Sequence, residues 1–143
     1  MFLGEYQHSL DNKGRLTVPA RFRGELGVRF VMTKGLDGCL FLYALDEWKN
    51  IEDKLKQLPM TNVDVRAFVR LFFSGAAECE VDGQGRVILP GNLREYAGID
   101  RDITIIGAGP RAEIWARSRW DEYSGGAGAS YDAIAEKLAD LGI

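Results

Sequence analysis

The sequence predicts an α+β fold, mainly β, built from two fused copies of one small unit. Three observations predict it. Residues 11–23 reappear in outline at 82–94, so that Asp11 meets Asp82, Gly14 meets Gly85, Arg15 meets Arg86, Pro19 meets Pro90 and Arg23 meets Arg94. The match extends upstream, where Phe2 meets Phe73 and Gly4 meets Gly75. It resumes downstream with one residue inserted, where Gly35 meets Gly107, Leu42-Tyr43 meets Ile114-Trp115 and Trp48 meets Trp120. Both copies also show the same order of alternating apolar runs, turn residues and helix signals. A period this long is no solenoid repeat. It divides the chain into halves 1–73 and 74–143, each with a helical tail.

Phe2–Leu10 alternates loosely and reads as a strand. Asp11-Asn12-Lys13-Gly14 is a turn, because Asn and Gly tolerate positive φ and Asp can bond the turn's own amides. Arg15–Val18 restarts a strand, which predicts a β-hairpin with Arg15 leaving its tip. Pro19 suits the first position of a helix over Ala20–Leu26, which Gly27 ends. Strands follow at Val28–Thr33 and Cys39–Ala44. The second copy gives strands Gly75–Val81 and Arg86–Leu89, a helix Pro90–Ala97 closed by Gly98, and strands Ile103–Ile106 and Ala112–Ala116.

The first tail places Trp48, Ile51, Leu55 and Leu58 on one helical face over Asp46–Leu58, until Pro59. Asn62 caps a second helix carrying Val65, Phe68, Val69 and Phe72. In the second tail Ser118 caps a turn with Trp120 and Tyr123, and Gly125–Ala129 is a flexible break. Ser130 then caps a helix with Tyr131, Ile134, Leu138 and Leu141 on one stripe. These stripes read as core or interface.

A chain of 143 residues is one domain or two half-domains sharing a core. It can bury roughly two thirds of its unfolded surface. No apolar run approaches the roughly 20 residues that span a bilayer. The start, Met1-Phe2-Leu3-Gly4-Glu5, lacks the basic and apolar regions of a signal peptide, so a cytoplasmic location is expected. Cys39 and Cys79 are expected as free buried thiols, and with the single His8 they make no metal set. No cofactor is expected. The net charge of −3 points away from nucleic acid, but Lys13, Arg15, Arg21, Arg23 and Arg29 face only Glu25 within residues 12–29. That window overlaps the first repeated turn.

Asp-x-x-Gly-Arg at a turn has a physical logic. Gly lets the backbone reverse, and Asp can bond the turn amides or hold the guanidinium in one direction. The Arg fork matches the O6/N7 edge of guanine or a phosphate. Lys13 adds a point charge beside Arg15, whereas Gln84 stands beside Arg86. The plainer reading is a salt bridge that closes each turn, which is common and contributes little. Its appearance at the same place in both copies favours a further purpose.

At these residues the chain resembles the MraZ family, bacterial transcriptional regulators with two tandem AbrB-like halves. The resemblance covers essentially the whole chain. It rests on Met1-Phe2-x-Gly4, on Leu10-Asp11-x-Lys13-Gly14-Arg15-Leu16-x-Val18-Pro19, and on Tyr43-x-Leu45-x-Glu47-Trp48. Cys79-Glu80-Val81-Asp82-x-Gln84-Gly85-Arg86 and Gly98-Ile99 complete it. It implies AbrB-like swapped-hairpin halves forming a double-split β-barrel with flanking helices, assembled as a ring homo-oligomer. It also implies binding of double-stranded DNA at short G-containing promoter repeats, upstream of the division and cell-wall gene cluster and of the regulator's own gene. Asp11, Lys13, Gly14 and Arg15 would form the first contact loop, and Asp82, Gly85 and Arg86 the second. Arg15 would read guanine with Asp11 orienting it, and Arg21 and Arg23 would serve phosphates. The resemblance places such a protein at the nucleoid, with no membrane and no small-molecule substrate.

An enzyme is disfavoured, because one histidine and the absence of any nucleophile elbow or phosphate loop leave no catalytic constellation. The alternative is an oligomeric interaction scaffold without DNA binding, in which the Arg turns are subunit contacts. A single-half antitoxin-type regulator is disfavoured by the duplication.

Overall fold

The computed structural model describes residues 1–142; Ile143, the last residue of the expected second half, lies outside the described residues. The first copy holds β1 (Glu5–Ser9), β2 (Arg15–Thr17), α1 (Ala20–Leu26), β3 (Arg29–Lys34), β4 (Leu40–Ala44), α2 (Leu45–Lys56) and α3 (Val63–Ser74). The second holds β5 (Ala77–Glu80), β6 (Arg86–Ile88), α4 (Gly91–Tyr96), β7 (Asp102–Gly107), β8 (Ala112–Ala116), α5 (Arg117–Ala129), α6 (Tyr131–Lys137) and a short 3-10 turn (Ala139–Leu141). The fold is α+β with antiparallel pairing throughout, as the sequence predicts.

The pairing departs from the expected local hairpin. β1 does not pair with β2 but with β7, and in the matching way β5 pairs with β3. Each copy's first strand therefore completes the sheet edge begun by the other copy's third strand. The larger sheet runs β1-β7-β8-β4-β3-β5, and β2 pairs with β6 in a separate ribbon. The physical reason lies in Leu10, Leu16 and Val87, all buried. Leu10 turns the chain inward and its amide bonds the Arg101 carbonyl, and Leu16 then faces Val87 across the ribbon. Local alternation cannot distinguish a neighbouring strand from its equivalent in the other copy.

The arrangement has an approximate two-fold axis. Leu16 faces its own equivalent Val87, and Phe41 faces its own equivalent Glu113. The register also refines the repeat. Glu80 faces Arg29 while its equivalent Ser9 faces Asp102, so Asp102 takes the place of Arg29. The single insertion read from the sequence is thus two residues added before β7 and one removed in the next turn. Gly35 is matched in space by Ala108, each amide closing its turn onto Cys39 and Arg111 respectively.

One continuous core joins both copies, with Phe22, Phe30 and Met32 packed together with Leu89, Leu93 and Ile105. On the sheet's other face Cys39, Phe41, Tyr43 and Trp115 meet Phe72, with Trp48, Ile51, Leu55 and Trp120 against them. β4 and β8, covered on both faces, are accordingly buried at successive positions, whereas the edge strand β1 alternates. The carboxylate of Glu113 is buried there, held by Arg111 at 2.8 Å and by the Trp115 indole at 3.0 Å. Both cysteines are free and buried. Burial pushes the Cys79 thiol up to about 11 and that of Cys39 further, so neither is nucleophilic near neutrality.

Helix ends differ in detail from expectation. Pro19 and Pro90 sit in extended conformation just before their helices, with their carbonyls accepting the first helical amides. Asn62 caps α3 through the amides of Asp64 and Val65, as its sequence position predicts. Ser118 lies inside α5 rather than capping a turn, and Ser130 makes no side-chain cap. The glycine-rich segment is no break: Gly125–Ala129 is the last part of α5. Trp120 meets Trp115 edge-on and Tyr123 packs tilted against it, which anchors the helix start, and the helix then continues through the glycines. Each glycine costs about 1 kcal/mol relative to alanine there, too little to stop a helix already nucleated.

Candidate nucleic-acid interface

The loop before β2 is fixed by one side chain. Asp11 Oδ1 accepts the amides of Lys13 and Arg15, each at 2.9 Å, and Asp11 Oδ2 receives Arg15 Nε at 2.6 Å. The loop before β6 repeats this: Asp82 Oδ1 accepts the amides of Gln84 and Arg86 at 2.9 Å, and Oδ2 receives Arg86 Nε at 2.9 Å. Gly14 (φ 73°) and Gly85 (φ 77°) supply the left-handed backbone that closes each turn. Asp therefore does both jobs considered from the sequence, bonding the amides and aiming the guanidinium. The Nη atoms of Arg15 and Arg86 have no hydrogen-bond partner among the described residues.

These bonds also set the carboxylates. The Arg15 backbone amide, with the Arg15 guanidinium and the Lys13 amide, holds Asp11 down at about 2 despite some desolvation. Asp82 is likewise lowered, chiefly by the Arg86 backbone amide. The folded state favours the charged form. Its contribution is therefore complete above about pH 4, the ordinary carboxylate range, and is lost as pH falls through about 2. We expect the Asp11 carboxyl carbon signal to titrate with a midpoint near 2 in acid-stable protein. A midpoint near the ordinary 3.8 would mean the loop is not preformed.

The two loops are built into each other. The Val18 amide donates to the Gly85 carbonyl at 2.9 Å, and the Leu89 amide donates to the Gly14 carbonyl at 3.0 Å. Arg15 faces Ile88 and Arg86 faces Thr17, so the two guanidinium stems leave one ribbon at opposite ends, roughly 7 Å apart along it. The ribbon's inward residues are Leu16 and Val87; its outward face is Arg15, Thr17, Arg86 and Ile88. A two-stranded ribbon is narrow enough for the major groove, about 12 Å wide.

The other expected residues divide. Lys13 is exposed beside Arg15, with Gln84 at the matching place. Arg21 is exposed on α1 and its equivalent is Asn92. Arg23 donates Nε to the Val18 carbonyl at 2.9 Å, and its guanidinium lies where a side chain on Gly85 would go. Arg94 of α4 mirrors this, bonding the carbonyls of Ile99 and Asp100 while lying against Gly14. Arg23 and Arg94 thus brace the opposite copy's loop and also bring positive charge to it. Arg29 opens β3 and faces Glu80 of the edge strand β5, at 3.9 Å, apart from the loops. Sequence reasoning missed Arg94, Thr17 and Ile88. Arg94 was visible as the partner of Arg23 in the repeat, and Thr17 and Ile88 follow from period-two alternation around Leu16 and Val87.

A comparison with protein families matches the family described as "MraZ protein, putative antitoxin-like" over residues 1–71 and again over 72–141. Proteins named "Transcriptional regulator MraZ" align along their full length. That of Syntrophomonas wolfei is 65% identical over 143 residues, covering all of both chains. That of Pelotomaculum thermopropionicum is 61% identical over 143 residues, covering 99% of its length. That of Moorella thermoacetica is 59% identical over 143 residues, covering all of both chains.

Proposed function

The chain belongs to the MraZ family, and from that premise we propose that it is a sequence-specific DNA-binding transcriptional regulator. One observation carries the reading: two loops of the same geometry stand at opposite ends of a single ribbon, each offering an oriented guanidinium. Arg15 and Arg86 read guanine edges, and Asp11 and Asp82 hold them in place. Gly14 and Gly85 shape the loops, Lys13 and Arg21 approach phosphates, and Arg23 combines loop bracing with phosphate contact. The outward methyls of Thr17 and Ile88 suit thymine methyl groups between the arginines.

In this reading the exchanged strands are AbrB-like swapped hairpins closing a double-split β-barrel, with the halves at 1–73 and 74–143. The chains assemble as a ring homo-oligomer. The ring repeats the loops, and repeated DNA boxes give it avidity that one loop pair lacks. The targets are G-containing promoter repeats before the division and cell-wall genes and before the protein's own gene. The protein then works in the cytoplasm at the nucleoid, without cofactor, catalysis or membrane. No helix among the described residues is long and apolar enough to cross a bilayer.

The test is a fluorescence-anisotropy titration of the DNA upstream of its own gene against scrambled DNA, over a salt series. Specific binding whose affinity falls steeply with salt is expected. No binding to either DNA at low salt would sink the reading and favour the interaction scaffold.

A further inference from the structure

Arg23 and Arg94 are equivalents in the two copies, yet they are held differently. Arg94 gives Nε to the Ile99 carbonyl at 3.1 Å and Nη2 to the Asp100 carbonyl. Arg23 makes one side-chain hydrogen bond among the described residues, from Nε to Val18, and is exposed where Arg94 is half-buried. The difference traces to the two residues added before β7. Gly98 (φ 64°) matches Gly27 (φ 77°), each just past its helix. The carbonyls of Arg101 and Val28 match as well, because they accept the equivalent amides of Leu10 and Val81 at 2.9 and 2.8 Å. Between Gly98 and Arg101 stand Ile99 and Asp100, which have no counterpart in the first copy. These added residues are the two whose carbonyls hold Arg94.

The held guanidinium lies against the first loop, where a Cβ on Gly14 would meet Arg94 Nη1 at 3.2 Å. The peptide joining Gly14 to Arg15 is fixed at both ends. Its carbonyl accepts the Leu89 amide at 3.0 Å, and its N–H donates to Asp11 Oδ1 at 2.9 Å. That peptide plane sets the direction in which Arg15 leaves the loop. Leu10, just before Asp11, is tied to Arg101 at the end of the added segment. The second copy thus grips the first loop at its entry and at its turn. The bond that aims the guanidinium is also shorter in the first loop, 2.6 Å against 2.9 Å. A planar fork can bridge two carbonyls and still present its third nitrogen to a neighbouring backbone, which an ammonium cannot do.

Resting on the DNA-binding reading above, we infer that Arg94, tethered by the added Ile99-Asp100 pair, is the positioning residue for Arg15. It steadies the Gly14–Arg15 peptide from the second copy, so that the first loop meets guanine already formed and loses little freedom on contact. The second loop, whose brace Arg23 has a single tether, settles its guanidinium only when DNA arrives. The first loop therefore carries most of the guanine discrimination, and Arg94 acts through it rather than on the DNA.

Arg94→Ala and Arg94→Lys test this, the second keeping charge and stem without the fork. Anisotropy is read with the upstream and the scrambled DNA over a salt series, in the wild-type and in an Arg15→Ala background. The Asp11 carboxyl-carbon midpoint is read without DNA. Circular dichroism checks that each variant folds, and where Arg94→Ala does not, Arg94→Lys decides. Both variants are expected to lose about tenfold in the ratio of specific to scrambled binding, within the roughly 5- to 150-fold that one guanine contact carries. The salt slope should keep its wild-type value, and the Arg15→Ala background should show no further loss. The Asp11 midpoint should rise from about 2 toward 3.8, as the amide bond that stabilises the carboxylate loosens. Equal losses on both DNAs, with a slope lower by about one and the loss persisting without Arg15, overturn the inference in favour of a phosphate contact. A wild-type ratio in Arg94→Lys also overturns it, since charge alone then suffices. Unchanged discrimination in both variants, with the midpoint still near 2, overturns it as well and leaves Arg94 a tie within the second copy. Absence of specific binding by the wild type overturns the DNA reading and the positioning role together.

Discussion

Arg15→Ala is expected to remove specific DNA binding while leaving the fold and the oligomer intact. The guanidinium gives its Nε to Asp11 and keeps both Nη atoms free of partners among the described residues. A bidentate guanine contact contributes about 1–3 kcal/mol, which is roughly 5- to 150-fold in affinity per loop. An assembly that engages several loops loses this at each one, so binding should fall to the level seen with scrambled DNA. Arg86→Ala should cost less, because Gln84 replaces the cationic Lys13 beside it and the second loop draws less on phosphate. Asp11→Asn separates aiming from reading. Asn can still accept the amides of Lys13 and Arg15, but it loses the charged partner of Nε, so an intermediate loss is expected. Anisotropy at one fixed salt concentration, with light scattering on the same samples, checks the series. Wild-type affinity in Arg15→Ala would make the loop a structural closure. A collapsed oligomer in that variant would make it a subunit contact.

The same residues show what could be read without coordinates. The α+β class and nearly every element were legible, because duplicated turn chemistry and periodicity mark them locally. Asp11, Gly14 and Arg15 could be placed in one loop because an Asx turn is a contact between near neighbours. The exchange of β1 and β5 between copies was not legible in the local pattern, which points to a hairpin within each copy; only the family resemblance implied swapped hairpins. Two copies of a strand present the same alternation, and only burial of Leu10, Leu16 and Val87 in a shared core selects the distant partner. Arg23 illustrates the same limit. Its charge and position near Arg15 suggested phosphate, but its guanidinium lies against Gly85, a contact that exists only after the exchange. The glycine-rich segment failed in the other direction. Composition favours a break there, while the aromatic cluster of Trp115, Trp120 and Tyr123 starts a helix that carries through.

Gly107→Ala is expected to cost far more stability than Gly91→Ala, although the sequence pairs Gly107 with Gly35 as if both were turn glycines. Its backbone angle is ordinary for any residue, so no conformational strain is involved. The obstacle is space: an added Cβ would collide with the backbone of Phe2 and Leu3. That segment is held by three bonds, Phe2 amide to Gly109 carbonyl at 2.7 Å, Gly109 amide to Phe2 carbonyl at 3.0 Å, and Gly107 amide to Gly4 carbonyl at 2.8 Å. It delivers the buried Phe2 ring edge-on to Phe22 at 5.2 Å, next to the helix that carries Arg23. Backbone cannot step aside as a side-chain tip can, so the variant must either distort β7 or release the N-terminal segment. The first is overpacking, about 1–3 kcal/mol. The second withdraws a phenylalanine from the core, about 3–5 kcal/mol. A loss of about 3 kcal/mol, or roughly 10 °C in Tm, is expected. Gly91→Ala is the matched control. Its Cβ meets nothing within 4 Å at the start of α4, and a gain of up to about 1 kcal/mol is expected there. Denaturant melts at one protein concentration, so that any self-association weighs equally on both, compare the two. Equal stability of the two variants would mean that Phe2 and Leu3 are not seated against β7.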